Sequence, residues 1–257
     1  MKVHPVTLET FTNLHPSIAL FRSLELKTIY DSCHNLKFDH PSLDLGCGHG
    51  EIAKLVFHEQ FDFGLDNGEI DEYKSAIQKK MYKKFLLESA EKMSIPNDSI
   101  NFIFSNSVIE HIPDNEAVLS EASRVLKKGG HFLFTVPCGN FSENLYFVKL
   151  LPWPLSRVYI HYRNKMLNHY HLYNHKEWEK RLNKAGLSVV HYKYYTSKKA
   201  LNLWDKMASL ALVGKLLSIP LTEKFLFNRY CSQISLLFQS DCASPKNGSC
   251  LLIIAQK

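Results

Sequence analysis

Residues Ser42–Lys54 read SLDLGCGHGEIAK, and the rest of the chain is arranged around them. Ser42, Leu43, Asp44 and Leu45 have the makings of a short buried strand. Gly46, Gly48 and Gly50 follow at alternate positions, and a helix is expected from Glu51 onward. A strand, a glycine turn and a helix in that order build a nucleotide-type binding site. Glycine permits the positive φ of a sharp turn and lets a ligand approach bare main chain. The free N–H groups at the start of the following helix are expected to face that ligand.

Spacing narrows the choice of ligand. A dinucleotide fold calls for G-x-G-x-x-G, whose third glycine would stand at position 51, but that position is Glu51 and the pattern is G-x-G-x-G. Asp66 closes a second predicted strand, Phe61–Leu65, and lies 20 residues beyond Gly46. A carboxylate at that offset can accept both hydroxyls of a ribose. NAD, FAD and S-adenosylmethionine all carry such a ribose, so Asp66 alone does not choose among them.

LDLGCGHG resembles motif I of the class I S-adenosylmethionine-dependent methyltransferases. The likeness continues through ESAEKMSIPNDSINFIFSNSVIEHIPDNEAVLSEASRVLKKGGHFLFTVP, Glu88–Pro137, which is similar to the ubiquinone- and menaquinone-biosynthesis type of small-molecule methyltransferase. The resemblance spans Leu43–Pro137, with several motifs in the right order. It implies an α/β, Rossmann-like, doubly wound sheet of seven strands in the order 3-2-1-4-5-7-6, the last antiparallel. It also implies S-adenosyl-L-methionine as cofactor and a small-molecule methyl acceptor. Carried over residue by residue, Asp44 is the motif I acid that sets the environment of the cofactor's cationic groups. Gly46, Cys47, Gly48 and Gly50 form the turn, with the Gly46 carbonyl a partner for the cofactor's amino group. Asp66 lies at the ribose and Ser89 and Ala90 at the adenine, with Asn67 and Glu91 beside them among the cofactor-binding residues. The family usually has Asp at the position of Ser89; a serine hydroxyl can still accept from the exocyclic amine, without charge assistance. Met93 either walls the adenine or fills the core.

Composition limits the alternatives. The chain has 257 residues, 45% of them hydrophobic, which suffices for one large α/β domain. The net charge is +6, carried by scattered lysine pairs rather than a dense basic run, so nucleic acid is disfavoured as a partner. None of the six cysteines stands in a C-x-x-C or zinc spacing, and Cys47 lies in the cofactor turn where a disulfide would obstruct binding. Free thiols in a reducing cytoplasm are expected. The N-terminal MKVHPVTLETF lacks the apolar core of a signal peptide, and no apolar run is long enough to span a bilayer.

The remaining elements are expected as follows. Ile18, Phe21, Leu24 and Ile29 recur at helical spacing ahead of the first strand, in a helix placed to cover the cofactor or to pack on the sheet. Gly68–Met81 is read as mostly helical, strand three as Lys84–Leu87 and strand four as Asn101–Ser105. Asn106 and Ser107 then fall at the strand end that faces the ligand crevice in open α/β sheets. Asp114 caps a helix running to Leu126, which Lys127–Gly130 stops, before strand five at His131–Val136. Residues 138–173, rich in aromatics and broken by Pro152 and Pro154, are read as a substrate lid, with a packing arm or dimer contact as the alternative. Asn174 and Glu177 form an N-x-x-E helix start. Strands six and seven, Leu187–Tyr194 and Ser249–Ala255, are separated by Tyr195–Gly248, a helical insertion of 54 residues. Its apolar stripes, Leu203–Leu217 and Phe225–Phe238, suit core packing, an apolar substrate site or peripheral contact with a membrane surface. The whole, residues 1–257, is read as one domain, monomeric or homodimeric.

Chemistry is harder to read. The activated methyl requires chiefly an acceptor held in line behind it. An oxygen acceptor benefits from a general base, and histidine, with an ordinary pKa of ~6.5, suits that role. His111, His169 and His171 are the candidates, His111 first because it follows strand four; His49, in the glycine turn, is read as local packing. Quinone O-methyltransferases that resemble this chain can hold a divalent ion with E-x-x-E-H. Here the first position is Ser107, and with one carboxylate gone no metal is expected. The insertion and the aromatic lid favour an oxygen acceptor on a bulky, partly apolar metabolite. The rival readings are a non-catalytic S-adenosylmethionine-binding subunit, an NAD-dependent oxidoreductase and an RNA methyltransferase.

Overall fold

The computed structural model describes residues 16–33, 38–57, 59–68, 80–216, 223–240, 245 and 247–257. Seven strands form one sheet: β1 (Ser42–Leu45), β2 (Phe61–Asp66), β3 (Tyr82–Leu87), β4 (Ile100–Asn106), β5 (Leu126–Pro137), β6 (Ser188–Tyr195) and β7 (Cys250–Gln256). Their order is β3-β2-β1-β4-β5-β7-β6, as expected. β7 runs antiparallel to both neighbours and the other pairs are parallel. All four residues of β1 are buried, because helices cover both faces of the sheet.

The helices with described positions are α1 (Pro16–Cys33), α2 (Glu51–Val56), α3 (Asn115–Val125), α4 (Trp153–Met166), α5 (His175–Lys184), α6 (Lys198–Leu216) and α7 (Glu223–Ser240), with a single turn at Asn140–Glu143. One core packs α3 and α5 on the sheet through Val118, Leu119, Ala122, Trp178 and Leu182. A second packs α1 and α2 on the opposite face through Leu26, Ile29, Ala53 and Val56. A third joins the insertion to α1: Leu203 and Met207 of α6 and Tyr230 and Ile234 of α7 meet Leu20 and Leu24. Leu203, Met207, Tyr230 and Ile234 of the insertion's stripes are therefore core, while Trp204 is only partly buried. No described helix is long and apolar enough to cross a membrane.

Local signals held where they were chemical. Asp114 Oδ1 accepts the Ala117 N–H at 3.0 Å at the start of α3. Asn174 and Glu177 exchange side-chain-to-backbone bonds in a full capping box on α5. Three expectations need correction. Residues 138–173 contain a fourteen-residue helix, because Pro152 and Pro154 stand at the entry of α4, where a missing N–H costs nothing. Lys127–Gly130 is no helix stop: Leu126 already pairs with Ile100, and pairing resumes at His131 opposite Phe102, leaving a bulge around Gly129 at φ +83°. β3 starts at Tyr82 rather than Lys84. The helix expected over Gly68–Met81, Leu217 and the side chains of Phe225 and Leu226 fall largely or wholly outside the described residues.

Candidate functional site

The glycine turn joins β1 to α2 and is fixed by its neighbours. The N–H groups of Gly46 and Cys47 both donate to the Leu65 carbonyl, at 2.8 and 3.1 Å, which ties the turn to β2. Gly46 has φ +74°, and a Cβ there would lie 2.4 Å from the methyls of Val108. Gly48, at φ +51°, faces open space, so a ligand can lie against its main chain. Asp66 turns back toward this bend: its Oδ2 accepts the Gly48 N–H at 2.8 Å and its Oδ1 accepts the Gly68 N–H at 2.7 Å. A cleft of about 280 Å³ opens beside it. Gly46, Asp66, Asn67, Ser89, Ala90, Glu91, Ser107 and His111 all line this cleft. The Ser89 hydroxyl donates to Glu91 Oε2 at 3.0 Å and accepts the Glu91 N–H at 3.2 Å, which closes the turn after β3. Met93 does not line the cleft; it is buried among Ala90, Ile95 and the core around them.

A second cavity, of about 210 Å³, lies across the turn and is lined by Asp44, Gly46, Cys47, Gly48, His49, Asn106, Ser107 and Arg22 among others. Gly50 lines neither; at φ +81° it is the N-cap of α2, with Tyr82 3.1 Å from where its Cβ would stand. Asp44 is buried and accepts the Tyr82 hydroxyl at 2.6 Å. The Tyr82 ring fits because Gly64 has no side chain; a Cβ there would lie 2.7 Å from it. Burial pushes the Asp44 carboxyl up to about 7, against the pull of the Tyr82 hydroxyl and with the charge of Asp66 adding to the rise. A carboxyl held there gains most from a cation placed beside it. The Cys47 thiol is pushed well above its ordinary range, chiefly by burial, which keeps it unreactive.

A third cavity, of about 460 Å³, is walled by α1 (Ile18, Phe21, Arg22), by Glu110 and His111 after β4, by Phe141, by Met166–His169 at the end of α4, and by Trp204 of α6. Ser107 lines all three spaces, His111 joins the first to the third, and Arg22 joins the second to the third. Ser107 is held at φ +52°, a conformation L-residues rarely adopt. Its N–H donates to the Thr135 carbonyl at 3.0 Å and its hydroxyl to Glu25 Oε1 at 2.8 Å. Glu25, fully buried on α1, also accepts from Arg22, from Asn106 Nδ2 at 3.2 Å and from the hydroxyls of Thr135 and Tyr195 at 3.2 and 3.0 Å. Burial alone would raise its pKa; Arg22 and these donors reverse that and hold it below the usual carboxylate range.

His111 Nδ1 lies 3.0 Å from the Asn168 carbonyl, which can only accept, so Nδ1 carries the proton and Nε2 the lone pair. Glu110 Oε1 lies 3.7 Å from that Nε2, too far for a hydrogen bond. Glu110 is buried, its Oε2 has no hydrogen-bond partner, and burial pushes its carboxyl up to about 8, so it is protonated at neutral pH. His169 stacks on His111 with ring centroids 5.7 Å apart. Burial lowers His169 to about 4, with the charges of His111 and Arg163 adding. His171 lines none of the three spaces. Its Nε2 donates to the Ile112 and Pro113 carbonyls at 3.0 and 2.9 Å, and its Nδ1 accepts the Tyr173 hydroxyl at 3.0 Å. Among the described residues no group of three His, Cys, Asp or Glu side chains is placed to hold a metal.

Arg22, Glu25 and Phe141 were not singled out from the sequence; Trp204 belongs to the Leu203–Leu217 stripe, for which an apolar substrate site was one of the readings. One signal was available for α1: Glu25 interrupts the apolar run between Leu24 and Leu26, with Arg22 one turn before it. A carboxylate at a core position calls for a buried partner.

This fold, with a glycine turn and an acidic residue at the end of β2, is that of the class I S-adenosylmethionine-dependent methyltransferases. The profile of the Methyltransferase domain family matches residues 33–192, and the chain belongs to that family. It is similar to sarcosine/dimethylglycine N-methyltransferase of Halorhodospira halochloris, 32% identical over 103 residues, covering 37% of each chain. Ubiquinone biosynthesis O-methyltransferase of Coxiella burnetii is 27% identical over 110 residues, covering 41% of this chain and 47% of that one. The matches thus span less than half the length of these relatives. In fold, the chain is similar to phosphoethanolamine N-methyltransferase 2 of Haemonchus contortus, solved with S-adenosyl-L-methionine. The TM-score is 0.58 at 17% identity, over 98% of this chain and 60% of that one.

Proposed function

We propose that the chain transfers the methyl group to a hydroxyl of a small, partly apolar acceptor seated in the cavity between α1, α4 and α6. The observation that carries this reading is the sharing of walls. Ser107 belongs to all three spaces and His111 to both the cleft beside Asp66 and the larger cavity, so the two ligands would meet at the end of β4.

In this reading S-adenosylmethionine supplies an activated methyl on a sulfonium. Asp66 receives the ribose hydroxyls on the lone pairs its two backbone contacts leave free. The Ser89–Glu91 turn borders the adenine, and the cationic methionine end lies near Asp44, whose raised pKa falls as that charge arrives. Gly46 and Gly48 keep the main chain bare along the cofactor. Phe21, Phe141 and Trp204 give the acceptor an apolar wall and exclude water. His111 Nε2 takes the acceptor's hydroxyl proton, while the Asn168 carbonyl holds the ring in that tautomer. His169, unprotonated at neutral pH, packs against the base, and His171 braces the chain entering α5. Residues 138–173 act as the lid, tied to the base by the Tyr170 N–H, which donates to the Glu110 carbonyl at 2.9 Å.

The test is transfer of isotope-labelled methyl from S-adenosylmethionine to paired acceptors of one carbon skeleton bearing either a hydroxyl or an amine, together with mass spectrometry of molecules that co-purify. Labelled ether product from the hydroxyl member is expected. Labelling confined to the amine member would overturn the oxygen assignment.

A further inference from the structure

The outward face of α4 is unlike the surface of a water-soluble helix. Leu155, Val158, Tyr162 and Met166 are 55, 66, 47 and 44% exposed, and their spacing places them in one stripe along the helix. Trp153, 72% exposed, and Leu150, 62% exposed, extend the apolar surface at its start. Burial elsewhere does not require this stripe. The inner face of α4 is already satisfied: the Tyr159 hydroxyl donates to Asp205 Oδ1 at 2.7 Å, and Arg163 pairs with Asp205 at 3.0 Å while lying over the Trp204 ring.

Charge says what covers it. From Asn144 to Asn174 the chain has Lys149, Arg157, Arg163 and Lys165 but no Asp or Glu. Arg157 and Lys165 are exposed on α4 beside the stripe, and Lys149, next to Leu150, lies against Lys198 at the start of α6. Two ammonium groups held together favour an anion at that spot. Aromatic and aliphatic side chains on one face, edged by cations and free of carboxylates, are the features of a helix lying in the headgroup region of an anionic bilayer. A second copy fits less well, because a two-fold contact through α4 would bring the cationic edge of one copy, Arg157 and Lys165, against the same edge of the other.

We infer that α4, with Leu150 and Lys149 before it, docks on an anionic lipid surface. Met166 belongs both to the stripe and to the wall of the 460 Å³ cavity, so docking sets the cavity mouth at the lipid. Delivery of an apolar acceptor from the bilayer then follows, and that consequence alone rests on the reading above.

The experiment is co-sedimentation of the full chain with phosphatidylcholine vesicles and with phosphatidylcholine–phosphatidylglycerol vesicles, alongside size-exclusion light scattering. A Val158→Glu/Tyr162→Glu variant is compared, with its melting temperature and its S-adenosylhomocysteine affinity by calorimetry. Binding is expected to the phosphatidylglycerol vesicles, weakened by added salt, and about tenfold or more weaker in the variant, with melting and cofactor affinity as in wild type. Wild-type protein that ignores anionic vesicles would overturn the inference, as would a variant that binds them equally well. So would a wild-type dimer that the variant dissociates, since the face would then belong to a second copy. Cofactor affinity, measured on the same samples, reports separately on the methyltransferase site.

Discussion

The two halves of the proposed site, one for the cofactor and one for the acceptor, are built by different means. The cofactor half, around Asp44, Gly46, Gly48 and Asp66, is made of main chain and a few short side chains at the ends of adjacent strands. Its bonds join β1 to β2, as in the contacts of Gly46 with Leu65 and of Gly48 with Asp66. The acceptor half is made of large side chains from α1, α4 and α6, brought to the end of β4 across long stretches of chain. Glu25 alone reaches Thr135 and Tyr195, 110 and 170 residues away. A turn that depends on positive φ is written in glycines. A cavity that depends on where helices dock is not written in any short motif.

If the halves are separable, substitutions in one should leave the other intact. The largest effect is expected for His111→Ala: turnover falls by about 10²–10⁴-fold while S-adenosylhomocysteine affinity, measured by calorimetry, stays within about twofold. Unchanged turnover would remove the base from the acceptor half. Asp66→Ala is the mirror image. It removes the ribose partner and leaves two turn N–H groups without their acceptor, and about a hundredfold loss of cofactor affinity is expected. Wild-type affinity in the same titration would break the assignment of Asp66.

Glu110 tests the boundary between the halves through pH. Its folded pKa of about 8 stands above the unfolded value of 4.5. The stability tied to its proton is therefore fully present below pH 4.5 and is lost as pH rises toward 8, because the unfolded chain ionises first. Glu110→Gln should flatten the melting-temperature profile over that window and stabilise the protein at pH 8 by up to about 4 kcal/mol. A profile as steep as that of wild type would show that Glu110 is not the group held protonated. The smallest effect is expected for Trp204→Leu on α6. The acceptor KM should rise about three- to tenfold, as aromatic contact is lost, with cofactor affinity unchanged. A change in cofactor affinity instead would mean that the insertion supports both halves.

Much of this was legible in the sequence, and the misreadings have physical causes. Strand order was legible only through the resemblance of Leu43–Pro137 to a known family, whereas the glycine turn, the Asp66 offset and both helix caps came from residues whose backbone or capping chemistry is local. Pro152 and Pro154 misled because a proline at a helix entry and a proline that breaks a helix are the same letter; only the flanking fold tells them apart. Tyr82 was read outside its strand because Lys79, Lys80, Lys83 and Lys84 around it suggested a polar helix face. Its ring in fact needs the absent side chain of Gly64, on the neighbouring strand. His169 and His171 are two residues apart, yet one enters the acceptor cavity and the other turns to the carbonyls of Ile112 and Pro113.

By itself the sequence determined the glycine turn, the offset of Asp66 and the helix starts, because caps and positive-φ glycines act over a few residues; the seven-stranded order was legible through resemblance to a family. Tertiary structure decided which histidine faces the cofactor cleft, that Glu25 holds Ser107 in its rare conformation, and that α4 turns an apolar stripe outward. Those outcomes depend on how distant helices pack against the sheet edge, and the free energy of that packing belongs to no single stretch of the chain.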